Sequence, residues 1–140
     1  MAAATGDQQR LRDSVPTAAP AETHTILANQ TIYQGAVGMQ VAGKARNFVA
    51  ATAGSTLLGT AFRQYSAGAS DVTTADGDPQ VWLRGVQGFL GDAGGLPDET
   101  YIDKTVYFLD NNTVTTAAPG APNLGGTLRS IRQGLFWVEF

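Results

Sequence analysis

Punctuation constrains this chain more than any single residue. Short runs of apolar and β-branched residues are cut by Gly, Pro, Asn and Asp at a spacing of about 8–12 residues. No window longer than about ten residues keeps apolar side chains at the 3.6-residue spacing of an amphipathic helix. Runs this short can bury a strand face but not a helix face, so the pattern predicts an all-β sandwich or barrel. The stretch "TVYFLDNNTVTT" shows the logic. Val106-Tyr107-Phe108-Leu109 reads as a strand, Asp110-Asn111-Asn112 as a turn, and Thr113–Thr116 as the return strand.

The other segments follow the same rules. "TIYQGAVGMQVAG" predicts one or two strands, bent or bulged at Gly35 and Gly38. "ARNFVAATAGSTLLGTAFRQY" predicts two strands turning at Ala53-Gly54-Ser55, with a short helix over Arg46–Ala51 as the competing reading. "PQVWLRGVQGFL" predicts one strand after a loop at Asp76-Gly77-Asp78-Pro79, and "DAGGLPDETYID" a loop. "LRSIRQGLFWVEF" predicts one or two strands around Gly134. In the last run Phe136, Val138 and Phe140 share one face, which is expected in the core, with Leu135, Trp137 and Glu139 on the other. In the strand at Val106–Leu109 both faces are apolar, which places it centrally or sets its outer face against a partner.

Residues 1–24 differ from the rest. "MAAATGDQQRLRDSVPTAAPAETH" carries many alanines, Pro16 and Pro20, and few large apolar side chains. It cannot bury enough surface to offset its ordering entropy, so it reads as a flexible, extended N-terminal arm before a single β-rich domain over residues 25–140. Leu11 and Val15, four apart, suit one helical turn against a partner. The arm has no apolar h-region, so no secretory signal is expected, and no apolar stretch approaches the ~20 residues of a membrane helix. A transmembrane barrel fits poorly, because too few runs reach membrane length. Partnership with nucleic acid is not expected either. The net charge is −3, and the 9 Lys and Arg residues form no run or stripe. The chain has no cysteine, so thiol chemistry, disulfides and thiolate metal sites are excluded. Charged residues are 15% of the chain, which suits a surface partly covered by another protein.

Residue types that carry chemistry are sparse, and no catalytic, cofactor-binding or metal-ligating residue is assigned. His24, the single histidine, stands at the edge of the arm with no base–nucleophile partner in view and reads as a local hydrogen-bonding residue. Asp76-Gly77-Asp78 resembles a fragment of a calcium loop but lacks further oxygen ligands and the distant bidentate Glu, so it reads as a turn. Asp98, Glu99 and Asp103 are the densest acidic cluster. A glycosidase-like acid/base pair would need one raised pKa there, whereas a Gly/Pro loop solvates its carboxylates. Trp82, Trp137, Tyr101 and Tyr107 could stack on sugar, but aromatic residues in strands more often serve core or subunit interface. "GGT" at Gly125–Thr127 and "AGG" at Ala93–Gly95 lack the Lys and hydroxyl of a phosphate loop.

In order, "GAVGMQVAGKARNFVAAT", "VWLRGVQGFL", "DKTVYFLDNNTVTTAAP" and "LGGTLRSIRQGLFWVEF" resemble the small β-rich cement, or decoration, proteins of tailed-bacteriophage heads over residues 30–140. The shared pattern is a glycine-punctuated strand, a strand with a "G-V" bend, a "V-Y" strand with a polar turn and Thr-rich return, and a glycine-led segment ending in a hydrophobic strand. The resemblance implies a compact β-barrel or β-tulip-like fold. It implies a virion protein on the outer capsid surface, made in the host cytoplasm, without cofactors. The implied partners are the major capsid protein and further copies of the chain, as a trimer or other cluster. Under this reading Leu11, Val15, Pro16, Pro20, Trp82 and Tyr107 are the candidate partner-binding residues. The alternative is a carbohydrate- or host-surface-binding β-module of head-fibre or adhesin type. A third possibility is a small hydrolase using the Asp98–Asp103 loop.

Overall fold

The computed structural model describes residues 3, 4, 6, 17, 18, 24–72 and 80–140. Among the described residues strands make up 47% and helical turns 5%, so the fold is all-β. The strands are β1 (Thr17–Ala18), β2 (Thr25–Ile26), β3 (Thr31–Ile32), β4 (Val37–Val41), β5 (Lys44–Asn47), β6 (Ser55–Ala61), β7 (Tyr65–Ser66), β8 (Trp82–Arg84), β9 (Val86–Gly91), β10 (Thr105–Phe108), β11 (Thr113–Thr115), β12 (Gly125–Arg132) and β13 (Leu135–Glu139). They form a closed barrel in the order β10-β11-β9-β13-β12, a curled sheet in the order β1-β8-β6-β4-β5-β2, and the small pair β3-β7.

Turn chemistry sets the local pairings. Ala42-Gly43 links β4 to β5, and Gln133-Gly134 links β12 to β13. All four residues have positive φ, as two-residue turns matched to strand twist require. Gly134 therefore separates two strands rather than bending one. The polar turn Asp110–Asn112 closes the expected hairpin, with Tyr107 opposite Thr115 and Phe108 opposite Val114. Residues 46–51 form strand and turn, not helix. The pairing of β4 with β6 shifts register between Gly38 and Met39, which leaves Leu58 as the extra residue.

"VWLRGVQGFL" departs from the one-strand expectation. It is two strands in two sheets: β8 belongs to the curled sheet and β9 to the barrel. The break is Gly85, at φ 116, where a side chain would be strained. Its N–H donates to the carbonyl of Phe140 (3.1 Å), so the crossing point is tied to the end of the chain.

The core follows from this crossing. The inward faces of the barrel supply Phe89, Val106, Phe108, Val114, Leu128, Phe136 and Val138, and the curled sheet adds Val37, Met39 and Phe48 to the same cluster. Phe108 meets Phe48, Phe89 and Phe140 edge-on, at centroid distances of 5.8, 5.1 and 5.2 Å. Phe48 thus plugs the barrel end where the 110–112 turn lies, and Val37 N–H donates to the carbonyl of Asn111 there (2.9 Å). The expected inward face of β13 holds: Phe136 and Val138 are buried, and Phe140 packs against them. A second cluster on the far face of the curled sheet contains Ile26, Ile32, Ala36, Ala45, Leu58, Ala61, Tyr65 and Trp82.

Little of the expected arm falls within the described residues, and Leu11, Val15, Pro16 and Pro20 lie outside them. Of this segment, Thr17–Ala18 pairs with Arg84 and Leu83 at the edge of β8, and Ala4 N–H donates to the Asn111 side chain (2.7 Å).

Candidate functional site

Both tryptophans are withdrawn from the surface. Trp82 is fully buried beneath Tyr65, and its ring fills the space left open by Gly38. The partner-facing role expected for Trp82 is therefore corrected. Its bulk closes the second core, and its indole N–H donates to the buried Gln80 side chain (3.3 Å). Trp137 does lie on the outward face of β13, yet it is only 2% exposed. It sits across Gly88, donates its indole N–H to the Arg132 carbonyl (3.1 Å), and is covered by the Arg132 guanidinium 4.1 Å from its ring. Tyr107 remains half-buried on the outer face of β10, within reach of a partner. A sugar platform built from all four aromatic residues thus loses both indoles.

The acidic cluster is pulled apart by its local bonds. Asp98 caps a single 3₁₀ turn at Glu99–Tyr101, accepting from the Thr100 N–H (2.9 Å) and hydroxyl. The side-chain bond from Thr100, followed by the Thr100 backbone N–H, holds its carboxyl below the ordinary carboxylate range. A general acid needs the opposite shift. Asp103 is held by Arg129 (2.8 Å), which also donates to Glu139 (2.8 Å). Arg129 reaches both because it is the extra residue at the β12–β13 register shift between Leu128 and Ser130. His24 accepts a bond from Gln80 at its carbonyl. Asp76-Gly77-Asp78 lies outside the described residues. Among the described residues no three acidic or histidine side chains are grouped to hold a metal ion, and no helix is long and apolar enough to cross a membrane.

The loop at residues 92–104, read from the sequence as a loop carrying the acidic cluster, is built as a cover over the barrel end opposite Phe48. Asp92 accepts from Gly94 N–H (3.2 Å) and caps a 3₁₀ turn at Ala93–Gly95. Thr116 N–H donates to Gly95 (2.9 Å), and Asp103 N–H donates to Leu128 (2.7 Å), which fastens the loop at both ends. A methyl group at Gly91 would overlap both the Phe136 ring and Leu96, so those side chains meet there. Ile131 is the cross-strand partner of Phe136. Leu96 is 58% and Ile131 37% exposed, so two of the six exposed large apolar side chains among the described residues lie at this mouth, and a third, Ile102, belongs to the same loop. The sequence signal for the mouth was present in "GLPDETYI", where apolar residues interrupt an otherwise polar loop.

Compared with protein-family models, with curated proteins and with solved structures, the chain matches none of them significantly.

Proposed function

We propose that the protein is a structural virion protein that binds the outer surface of a tailed-phage head. There it joins neighbouring major capsid protein subunits and stabilises the shell against the pressure of packaged DNA. It acts through binding free energy, because a ligand that binds only the assembled state stabilises that state by mass action, and it turns over no substrate. The observation that carries this reading is the placement of the segments that resemble cement proteins. "VWLRGVQGFL", "DKTVYFLDNNTVTTAAP" and "LGGTLRSIRQGLFWVEF" supply every strand of the closed barrel, and the fold is the compact β-barrel that the resemblance implies. Apolar side chains left exposed on this barrel offer contact surface for protein. The carbohydrate-binding alternative loses support from the burial of Trp82 and Trp137.

The test is the survival of heads on heating or osmotic shock, with and without the protein. Stripped heads should release DNA at lower temperature, and adding the protein back should restore survival in a saturable way. A chain lacking residues 1–24 should restore it poorly, because Leu11, Val15, Pro16 and Pro20 are among the proposed capsid contacts. Binding should respond weakly to salt, unlike phosphate recognition. Equal survival of stripped and decorated heads, or turnover of a substrate that Asp98→Asn abolishes, would overturn the reading.

A further inference from the structure

Every basic side chain among the described residues has a partner except one. Lys44 and Arg129 are paired with carboxylates, and Arg84 donates to the Leu57 and Leu58 carbonyls. Arg63, Lys104 and Arg132 lie over the rings of Tyr65, Tyr101 and Trp137. Arg46 on β5 has no described acceptor for its guanidinium. Its Nε is sealed from water and unpaired, whereas the residue as a whole is half-buried, so the Nη1 and Nη2 end reaches solvent. The surroundings withhold a counter-charge. Arg46 stands opposite the buried Met39 of β4, and Met39 stands opposite Leu57 of β6. Directly paired residues share a face, so Arg46 rises from the side of the curled sheet that packs on the barrel core, where Val41 and Leu57 are partly buried. The strands of this sheet carry Lys44, Arg46 and Arg84 and no acid, and no Asp or Glu occurs between His24 and Ser70. The next acid, Asp71, is already engaged: one oxygen holds Lys44 (2.7 Å) and the other the Ala28 N–H (2.8 Å). A half-buried charge with no partner keeps its desolvation cost uncompensated. The chain as a whole is acidic, so the missing carboxylate is a matter of placement, not of supply.

We propose that Arg46 is a receptor for one carboxylate side chain of a protein partner, held end-on by Nη1 and Nη2. The planar guanidinium fork matches the two oxygens of a carboxylate, and packing around Nε fixes its direction before the ligand arrives. A phosphate site would gather several cations, whereas Lys44, the nearest in sequence, is tied to Asp71. Once a partner covers it, the ion pair is screened by salt less than an exposed pair is. The site goes beyond the proposed role on heads and is measured on the free chain with defined carboxylates, so its failure leaves that reading to its own test.

The experiment is nitrogen-15 NMR of the purified full chain. Because Nε is sealed, the Arg46 Nε–H proton should exchange slowly with water and stay visible at neutral pH. A blocked peptide carrying a single glutamate, added at constant ionic strength, should shift this resonance saturably, and its glutamine counterpart should not. Sodium acetate, exchanged for chloride, should act in the same way but at higher concentration. Followed at the backbone amides of β4 and β5, Arg46→Lys should weaken the glutamate peptide by about tenfold, the loss of one charge-assisted hydrogen bond. Arg46→Met should abolish the response and leave the thermal midpoint unchanged or raised, since the guanidinium holds no bond of its own fold. An absent or non-saturating response to the glutamate peptide, an equal response to the glutamine peptide, or binding that survives Arg46→Met would overturn the proposal. Tighter binding of acetate than of the peptide would replace the protein partner by a small carboxylate, and a response to inorganic phosphate alone would replace the carboxylate; either result overturns it. A lowered midpoint in Arg46→Met would make Arg46 a structural residue and overturn it as well.

Discussion

Gly125 and Gly68 show how far the consequences of one residue type can diverge. A methyl group at Gly125 would overlap the Val106 carbonyl oxygen and lie 2.7 Å from the Tyr107 Cα. Both atoms are backbone of β10, the neighbouring barrel strand, so no rotamer change can relieve the clash. At Gly68 a methyl group meets nothing within 4 Å. Gly125→Ala should therefore cost at least the upper end of the about 1–3 kcal/mol typical of overpacking. Gly68→Ala should be neutral or stabilising by about 0.4–1 kcal/mol through the unfolded chain. Urea midpoints of the two variants check this, and equal midpoints would show that the barrel yields at Gly125. Nothing in "NLGGTL" or "YSAGAS" separates the two positions, because the atoms that decide the outcome come from a strand nearly twenty residues away (roughly one hairpin and its loop, on the usual spacing of such elements).

At the scale of elements, the crossing from β8 to β9 is held by a sealed polar pair. Thr60 on β6 donates its hydroxyl to the Gln87 side chain on β9 (2.7 Å), and the Gln87 amide donates to the Leu83 carbonyl on β8 (3.2 Å). Both side chains are fully buried. Thr60→Val keeps the shape but leaves the Gln87 oxygen without its donor, which should cost about 1–3 kcal/mol. Adding Gln87→Met should recover part of the loss, since removing both partners costs less than orphaning one. A double-mutant cycle by chemical denaturation measures the coupling, and no coupling would mean the crossing is held by Gly85 and its neighbours alone. The apolar character of this run was legible in the sequence; its division between sheets was not. The resemblance placed a bend at Gly85-Val86, but that the bend is a crossing between sheets is decided by the positive φ of Gly85 and the Phe140 backbone bound there.

For the whole molecule, the barrel and the curled sheet share one core, because Val37, Met39 and Phe48 lie in the barrel's cluster. They should unfold together. The tryptophans report on them separately, Trp82 from the curled sheet's far face and Trp137 from the barrel. In Trp82→Phe the remaining fluorescence follows the barrel; in Trp137→Phe it follows the curled sheet. Within each variant, fluorescence and far-ultraviolet circular dichroism should give coincident urea midpoints, as two-state unfolding requires. Separate midpoints would show two independently stable units.

The sequence by itself determined what depends on near neighbours along the chain. The β period and turn residues specified an all-β fold, the 106–115 hairpin, the turn at Gly54, and the inward set Phe136, Val138 and Phe140. Each of these rests on alternation of side chains or on backbone angles that a few adjacent residues dictate. Tertiary structure alone decided the rest. It buried both tryptophans, split one apolar run between two sheets, spread Asp98 and Asp103 onto different partners, and left Leu96 and Ile131 exposed at one mouth. A strand's second face, a loop's apolar residues and an acid's partner are set by whichever distant element packs against them, and that contact has no local signature in the chain.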